Sequence, residues 1–78
     1  MAELKTILAD MVKSIVVYPD EVVVSAEENG DDVTLTLNVA PSDMGKVIGK
    51  HGKIARSLRL IMKAAAVQCK KKVNVEIR

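Results

Sequence analysis

The 78-residue sequence predicts an α+β fold of two layers, a mixed three-stranded sheet with helices on one face. Two segments have the three-and-four spacing of apolar residues that is typical of helices, Pro41 begins a third, short helix, and three segments have runs or alternations that are typical of strands. Arranged along the chain, these segments give the order α-β-β-α-α-β. At this length the chain can form one small core, so we expect residues 1–78 to be a single domain.

The first half of the sequence predicts a helix followed by a β-hairpin. Apolar residues at helical spacing predict a helix from about residue 3 to 16, which ends before Pro19 because the residue before proline is disfavoured in a helix. Residues 22–28 and 33–39 are rich in β-branched side chains and flank a tight turn at Asn29 and the glycine after it. The second run alternates apolar and polar residues, so we expect one buried face.

The second half predicts a short helix, a longer helix and a final strand. The short helix enters at Pro41 and runs to about Val47, and the longer one begins at residue 52 or 53 and ends near residue 68. The strand alternates over residues 73–78 and should pair in parallel, because the chain returns to the sheet through helices. The expected core face of the longer helix comprises Ile54, Leu58, Ile61, Met62, Ala65 and Cys69.

The charges of the two halves have opposite signs. Residues 1–40 contain two basic and eight acidic side chains, a net charge of −6, whereas residues 41–78 contain ten basic and two acidic ones, a net charge of +8. This asymmetry indicates one surface that faces a polyanion. The alternative, that many of these residues are ordinary solvated charges, stays open for each residue taken singly.

Several classes of protein are disfavoured by the composition. One cysteine, Cys69, and one histidine, His51, supply neither an intramolecular disulfide nor a usual zinc ligand set. No apolar run has the length of a signal peptide or a membrane span, so we expect a cytoplasmic protein that does not enter a membrane. No cofactor is expected.

The segment from Gly49 to Gly52 has the features of an anion-binding loop. Two glycines around two residues permit a tight turn with little bulk over the backbone, and the N-terminus of the next helix points at the same place. Basic side chains surround it: Lys46, Lys50, His51, Lys53 and Arg56. From the glycine spacing alone, a plain helix-loop-helix corner is the more frequent explanation.

Two enzymatic interpretations of this loop fail on the residues present. A Walker A loop needs four residues between its glycines and a Ser or Thr after the lysine, whereas Gly45 and Gly49 enclose three residues and His51 follows Lys50. His51 as a catalytic base lacks a serine or cysteine nucleophile visibly paired with it. We therefore expect no enzymatic activity.

The loop and its surroundings resemble a known family. Residues 47–54, Val-Ile-Gly-Lys-His-Gly-Lys-Ile, resemble the KH signature, and the order of elements is similar to the type II KH arrangement. Nearly the whole chain resembles the small single-domain bacterial KH RNA-binding proteins of the KhpA type. The resemblance implies a clamp on about four nucleotides of single-stranded RNA and a part in post-transcriptional regulation. It assigns backbone contacts to Gly49, Lys50, His51 and Gly52, with Lys46, Lys53 and Arg56 beside them and Ile48 and Ile54 as weaker candidates for the base groove.

The shortage of aromatic residues agrees with this resemblance. The chain has no Phe or Trp and one Tyr, Tyr18, so it lacks the stacking platforms of RRM and OB-type domains. Binding would depend largely on phosphate charge, which predicts modest affinity and weak sequence preference.

A second apolar strip on the longer helix consists of Leu60, Ala64 and Val67. It is either an interface with a partner or a surface covered by the first helix and by lysine stems. The resemblance implies a homodimer or a heterodimer with another KH-containing protein. An alternative function is a protein-interaction adaptor that binds little RNA.

The lysine triplet before the last strand consists of Lys70, Lys71 and Lys72. It either extends the RNA path or forms a solvated connection.

Overall fold

The computed structural model describes residues 4–78. Its main elements are α1 (Leu4–Lys13), β1 (Val23–Asn29), β2 (Asp32–Asn38), α2 (Met44–Ile48), α3 (Lys53–Gln68) and β3 (Lys72–Ile77). Short 3₁₀ turns occupy Pro19–Glu21, Pro41–Asp43 and Lys50–Gly52. The predicted order α-β-β-α-α-β is confirmed. Within residues 4–78, no helix combines the length and the apolar character needed to cross a membrane.

The three strands form the predicted mixed sheet in the order β1-β2-β3. β1 and β2 are antiparallel and pair Val24 with Leu37, whereas β2 and β3 are parallel and pair Leu35 with Val75. The hairpin turn lies one position later than predicted. Asn29 pairs with Asp32, and the positive φ of 66° falls on the glycine between them.

The core lies between the helices and one face of the sheet. β2 alternates as expected, because Val33, Leu35 and Leu37 are buried while Thr34 and Thr36 on the other face are half-buried. Each such buried aliphatic side chain contributes roughly 1.5–3 kcal/mol relative to an exposed one. The helices add these buried residues: Leu4, Leu8, Val12, Val47, Ala55, Leu58, Met62 and Ala66.

Helix α1 ends three residues earlier than the predicted residue 16, and its predicted start at residue 3 lies outside the described residues. The N–H groups of Ser14 and Ile15 donate to the carbonyls of Met11 and Val12, three residues back, over 3.3 and 3.0 Å. The Ser14 hydroxyl also donates to the Met11 carbonyl at 2.6 Å. A serine hydroxyl that competes for a helical carbonyl favours such a tightened end. Ile15 is therefore 39% exposed rather than part of the core.

The buried face of α3 differs from the predicted one. Ile54 and Ile61 are exposed, whereas the small residues Ala55 and Ala66 are buried on either side of Met62. The prediction placed residues 54–69 at steps of 100°, and Leu58 and Met62 are buried as it expected, with Ala65 and Cys69 half-buried. Buried alanines allow a helix axis to approach a sheet closely. The buried face is thus rotated away from the isoleucines.

Candidate nucleic-acid interface

The Gly-x-x-Gly loop joins α2 to α3 in a tight turn. Gly49 ends α2 with φ 76° and ψ 175°, a combination that is essentially confined to glycine. His51 and Gly52 follow with left-handed φ angles of 56° and 73°. The Gly49 N–H donates to the Gly45 carbonyl at 2.8 Å, and the Gly52 N–H donates to the Gly49 carbonyl at 3.1 Å. These bonds fix the backbone through the turn.

The two loop glycines are required for different reasons. A Cβ atom at Gly49 would lie 2.6 Å from Cγ1 of Ile54 and 2.9 Å from its backbone nitrogen, closer than a carbon atom can come. A Cβ atom at Gly52 would have no neighbour within 4 Å, so only its φ angle favours glycine there. Gly49 therefore allows the loop to lie against Ile54, and Gly52 allows the chain to enter α3.

The loop concentrates positive charge at the start of α3. Lys46, Lys50, His51 and Lys53 all have exposed side chains. In the part of the chain that the structure describes, no side chain caps the N-terminus of this 16-residue helix. The Lys53 N–H already donates to the Lys50 carbonyl, so an anion beside these cations would meet mainly the positive end of the helix dipole.

The buried carboxylate of Asp43 holds the start of α2 in place. Asp43 is 1% exposed, and its Oδ1 and Oδ2 accept the backbone N–H groups of Val17 and Tyr18 at 3.1 and 2.9 Å. The sequence indicated a helix entry near Pro41, but it did not indicate that Asp43 would bond back to the segment between α1 and β1. This contact orients the helix that leads into the loop.

A groove of about 680 Å³ lies between α3 and β3. Its lining combines basic side chains from the helix, apolar side chains and polar groups of the strands: Thr34, Arg56, Arg59, Leu60, Lys63, Val73, Asn74, Val75 and Glu76. Arg56, Arg59 and Lys63 follow one another at helical spacing, so they form one basic wall. The groove therefore offers cations for phosphates and an apolar surface for bases.

The structure places the predicted site residues in two groups. The loop glycines, Lys50, His51 and the flanking lysines meet where α2 joins α3, while Arg56 lines the groove. Ile48 and Ile54, 39% and 38% exposed, belong to the two helices that flank the loop and are absent from the groove lining described above.

The sequence places Arg56, Arg59 and Lys63 on one basic face of the helix beside the loop, but of these only Arg56 was predicted as a site residue. A signal for Arg59 and Lys63 was present, because they continue from Arg56 at spacings of three and four residues. What the sequence did not provide was the position of β3 beside this face of α3.

The apolar strip of α3 is exposed to solvent in the structure of residues 4–78. Leu60 and Val67 are each 68% exposed, Ala64 is exposed, and the neighbouring Ile61 is 47% exposed. The first helix and the lysine stems therefore leave it uncovered. Leu60 also lines the groove, so it belongs to both surfaces.

The lysine triplet lies beside the acidic hairpin, which we define as Glu27, Glu28, Asp31 and Asp32. Lys71 Nζ is 3.6 Å from Glu28 Oε1, and Lys72 pairs with Asp32 across β2 and β3. α3 separates the triplet from the Gly-x-x-Gly loop by about 24 Å, given 1.5 Å per residue. The positive charge of the triplet thus offsets the negative charge of the acidic hairpin. This position agrees better with a solvated connection than with an extension of the RNA path.

The fold and the loop together define a KH-type domain. The backbone is similar to Era from Aquifex aeolicus, with a TM-score of 0.68 and 16% identity over 95% of this chain and 29% of that one. It is similar to Era solved with MgGDPNP and a 16S ribosomal RNA segment, with a TM-score of 0.67 and 15% identity over 95% and 28% of the two chains. At these identities the likeness concerns the fold alone.

The family is shown by closer relatives. The family model described as KhpA/KhpB, KH domain, matches residues 5–77, and this chain belongs to that family. RNA-binding protein KhpA of Clostridium acetobutylicum is 51% identical over 74 residues, which cover 95% of this chain and 99% of the relative. RNA-binding protein KhpA of Clostridium perfringens is 48% identical over 77 residues, which cover 99% of both chains.

Proposed function

We propose that this protein binds single-stranded RNA and catalyses no reaction. The observation that carries the proposal is the Gly49–Gly52 loop, whose open backbone lies among exposed cations at the N-terminus of α3. The groove with its basic wall begins one helical turn further along α3. Membership of a family whose relatives are named RNA-binding protein supports RNA as the polyanion.

The geometry suggests how a strand would lie. A phosphate beside the loop would receive backbone N–H groups together with the side chains of Lys50 and His51. The strand would continue along α3, where Arg56 to Lys63 span about 10 Å. Its bases would lie on the apolar groove lining, with Ile48 and Ile54 near the loop. About four nucleotides would be held, as is typical of KH domains.

A charge reversal in the loop tests this function. The double substitution Lys50→Asp and His51→Asp should abolish retention of a labelled single-stranded RNA in a filter assay, because repulsion replaces the phosphate contacts. The fold should survive, since both side chains are exposed and Asp tolerates the left-handed conformation of residue 51.

The matched control is Lys70→Asp. Lys70 is also exposed and has a positive φ of 58°, but it lies at the other end of α3. The Lys70→Asp variant should reduce RNA retention only slightly. Equal RNA retention by the loop variant and the wild type would refute the loop assignment.

We further propose that residues 1–78 form one domain and that the protein is cytoplasmic. This domain would pair through the exposed apolar strip, either with a second copy or with another KH-containing protein. The support is the exposure of Leu60, Ala64 and Val67 in a described chain that offers no cover for them. Two weak clamps on one RNA would raise avidity without new contacts. The same strip favours the second candidate function, a protein-interaction adaptor, which predicts that the wild type binds little RNA.

A further inference from the structure

The free edge of β3 forms one side of the groove. Among residues 4–78, β3 pairs in the sheet with β2 alone, and the N–H groups of Lys72 and Arg78 donate to the carbonyls of Asp31 and Leu37 at 2.8 Å. In a parallel pair, alternate residues turn both backbone polar groups to the same side. Val73, Val75 and Ile77 therefore direct their N–H and C=O groups away from β2, toward the groove.

Arg59 already occupies one of these edge groups. Its Nε donates to the Val75 carbonyl at 3.2 Å across the groove, in a partly buried contact. A guanidinium has five N–H donors in a rigid plane, so this bond leaves the four donors on its two Nη atoms for a ligand. The bond also restricts the direction of that plane, because the side chain is held at both ends.

We propose that Arg59 reads one base in this groove and gives that position a preference for guanine. The inference rests on the proposed RNA binding. The anchored guanidinium acts as a planar fork, because its two Nη atoms present neighbouring N–H donors. These donors match a base that carries two neighbouring acceptors on one edge. Guanine carries them at O6 and N7, the most frequent specific contact of arginine with a base.

The other bases match the fork less well. Adenine places the N6 amino donor beside N7, so one of the two guanidinium donors would meet another donor. Uracil separates its two carbonyl oxygens by an N–H group. Cytosine has neighbouring acceptors at O2 and N3, but its single ring covers less of the groove than the two rings of guanine.

The neighbouring Arg56 provides a matched control. It lines the same groove with the same guanidinium, but within residues 4–78 it makes no hydrogen bond like that of Arg59 to Val75. Its plane is not fixed in direction, so we expect it to attract phosphate without selecting a base. Lys63 brings a single ammonium group, which cannot form a planar fork.

The experiment compares a short all-uridine RNA with three versions that carry one guanine, adenine or cytosine at the centre. Fluorescence anisotropy at one fixed salt concentration gives the dissociation constants for the wild type, Arg59→Lys and Arg56→Lys. The wild type should bind the guanine RNA about tenfold more tightly than the uridine RNA. Arg59→Lys should lose most of the guanine preference, because a single ammonium group replaces the two Nη donors, and Arg56→Lys should keep the full preference.

The outcomes separate this inference from the function on which it rests. A wild type that binds none of the RNAs overturns the RNA clamp itself. A wild type that binds all four RNAs equally, or prefers cytosine, overturns the proposed guanine preference but is consistent with RNA binding. An Arg59→Lys variant that retains the guanine preference overturns the role of Arg59.

Discussion

The carboxylate of Asp43 accepts the backbone N–H of Tyr18 at 2.9 Å and so ties the segment between α1 and β1 to the residue that precedes α2. Helix α2 has five residues, too few to be stable alone. Its direction therefore depends on contacts of this kind, and the Gly-x-x-Gly loop that follows depends on α2. A residue outside the loop thus helps to determine the geometry of the loop.

Asp43→Asn should destabilise the protein by roughly 1–3 kcal/mol, because the amide nitrogen would face a backbone N–H that now donates to a carboxylate oxygen. Urea denaturation measures the change in the free energy of unfolding. Asp20→Asn is the control, since Asp20 is exposed in the 3₁₀ turn Pro19–Glu21 and should change stability by less than about 0.5 kcal/mol. Equal stabilities of the two variants would show that the Asp43 contacts contribute nothing.

Gly49→Ala should lower the free energy of unfolding by roughly 1–3 kcal/mol, because the methyl group would force a glycine-only backbone conformation and a collision with Ile54. Gly45→Ala lies in α2, has no neighbour within 4 Å of an added Cβ atom, and should be neutral or stabilising by roughly 0.5–1 kcal/mol. Thermal melting of the two variants checks the difference. A Gly49→Ala variant as stable as Gly45→Ala would mean that the loop lies further from Ile54.

Val67→Glu should weaken self-association more than about a hundredfold, because an apolar contact would have to bury an unpaired carboxylate. Light scattering coupled to size exclusion measures the mass. Val67 is a better probe than Leu60, since Leu60 also lines the groove. Gln68→Glu adds the same charge one residue along α3 at another exposed position and should leave the mass unchanged. A wild type that is monomeric at all concentrations tested contradicts the homodimer.

The sequence predicted the order of elements because its local signals agree with one another. The alternation of Val33, Leu35 and Leu37 requires a strand with one buried face, and the paired glycines after Ile48 require a break between two helices. The boundaries depended on weaker effects. At the end of α1 the Ser14 hydroxyl donates to the Met11 carbonyl, a contact that a pattern of apolar residues does not register.

Contacts between distant segments account for most of what the sequence could not predict. The burial of Ala55 in place of Ile61 depends on how closely α3 approaches the sheet. The Asp43 bonds and the contact of Arg59 with Val75 join residues that are 26, 25 and 16 positions apart in the chain. No local pattern specifies such pairs, so the composition of the groove emerged only with the fold.

A titration of ¹⁵N-labelled protein with a short single-stranded RNA, followed by NMR, tests the central claim most directly. The largest amide shifts should fall on residues 46–53 and on the groove side of α3 from Arg56 to Lys63, while the acidic hairpin stays unchanged. Shifts confined to the acidic hairpin or to the outer face of the sheet, with the amides of Gly49 to Gly52 unmoved, would contradict the RNA clamp.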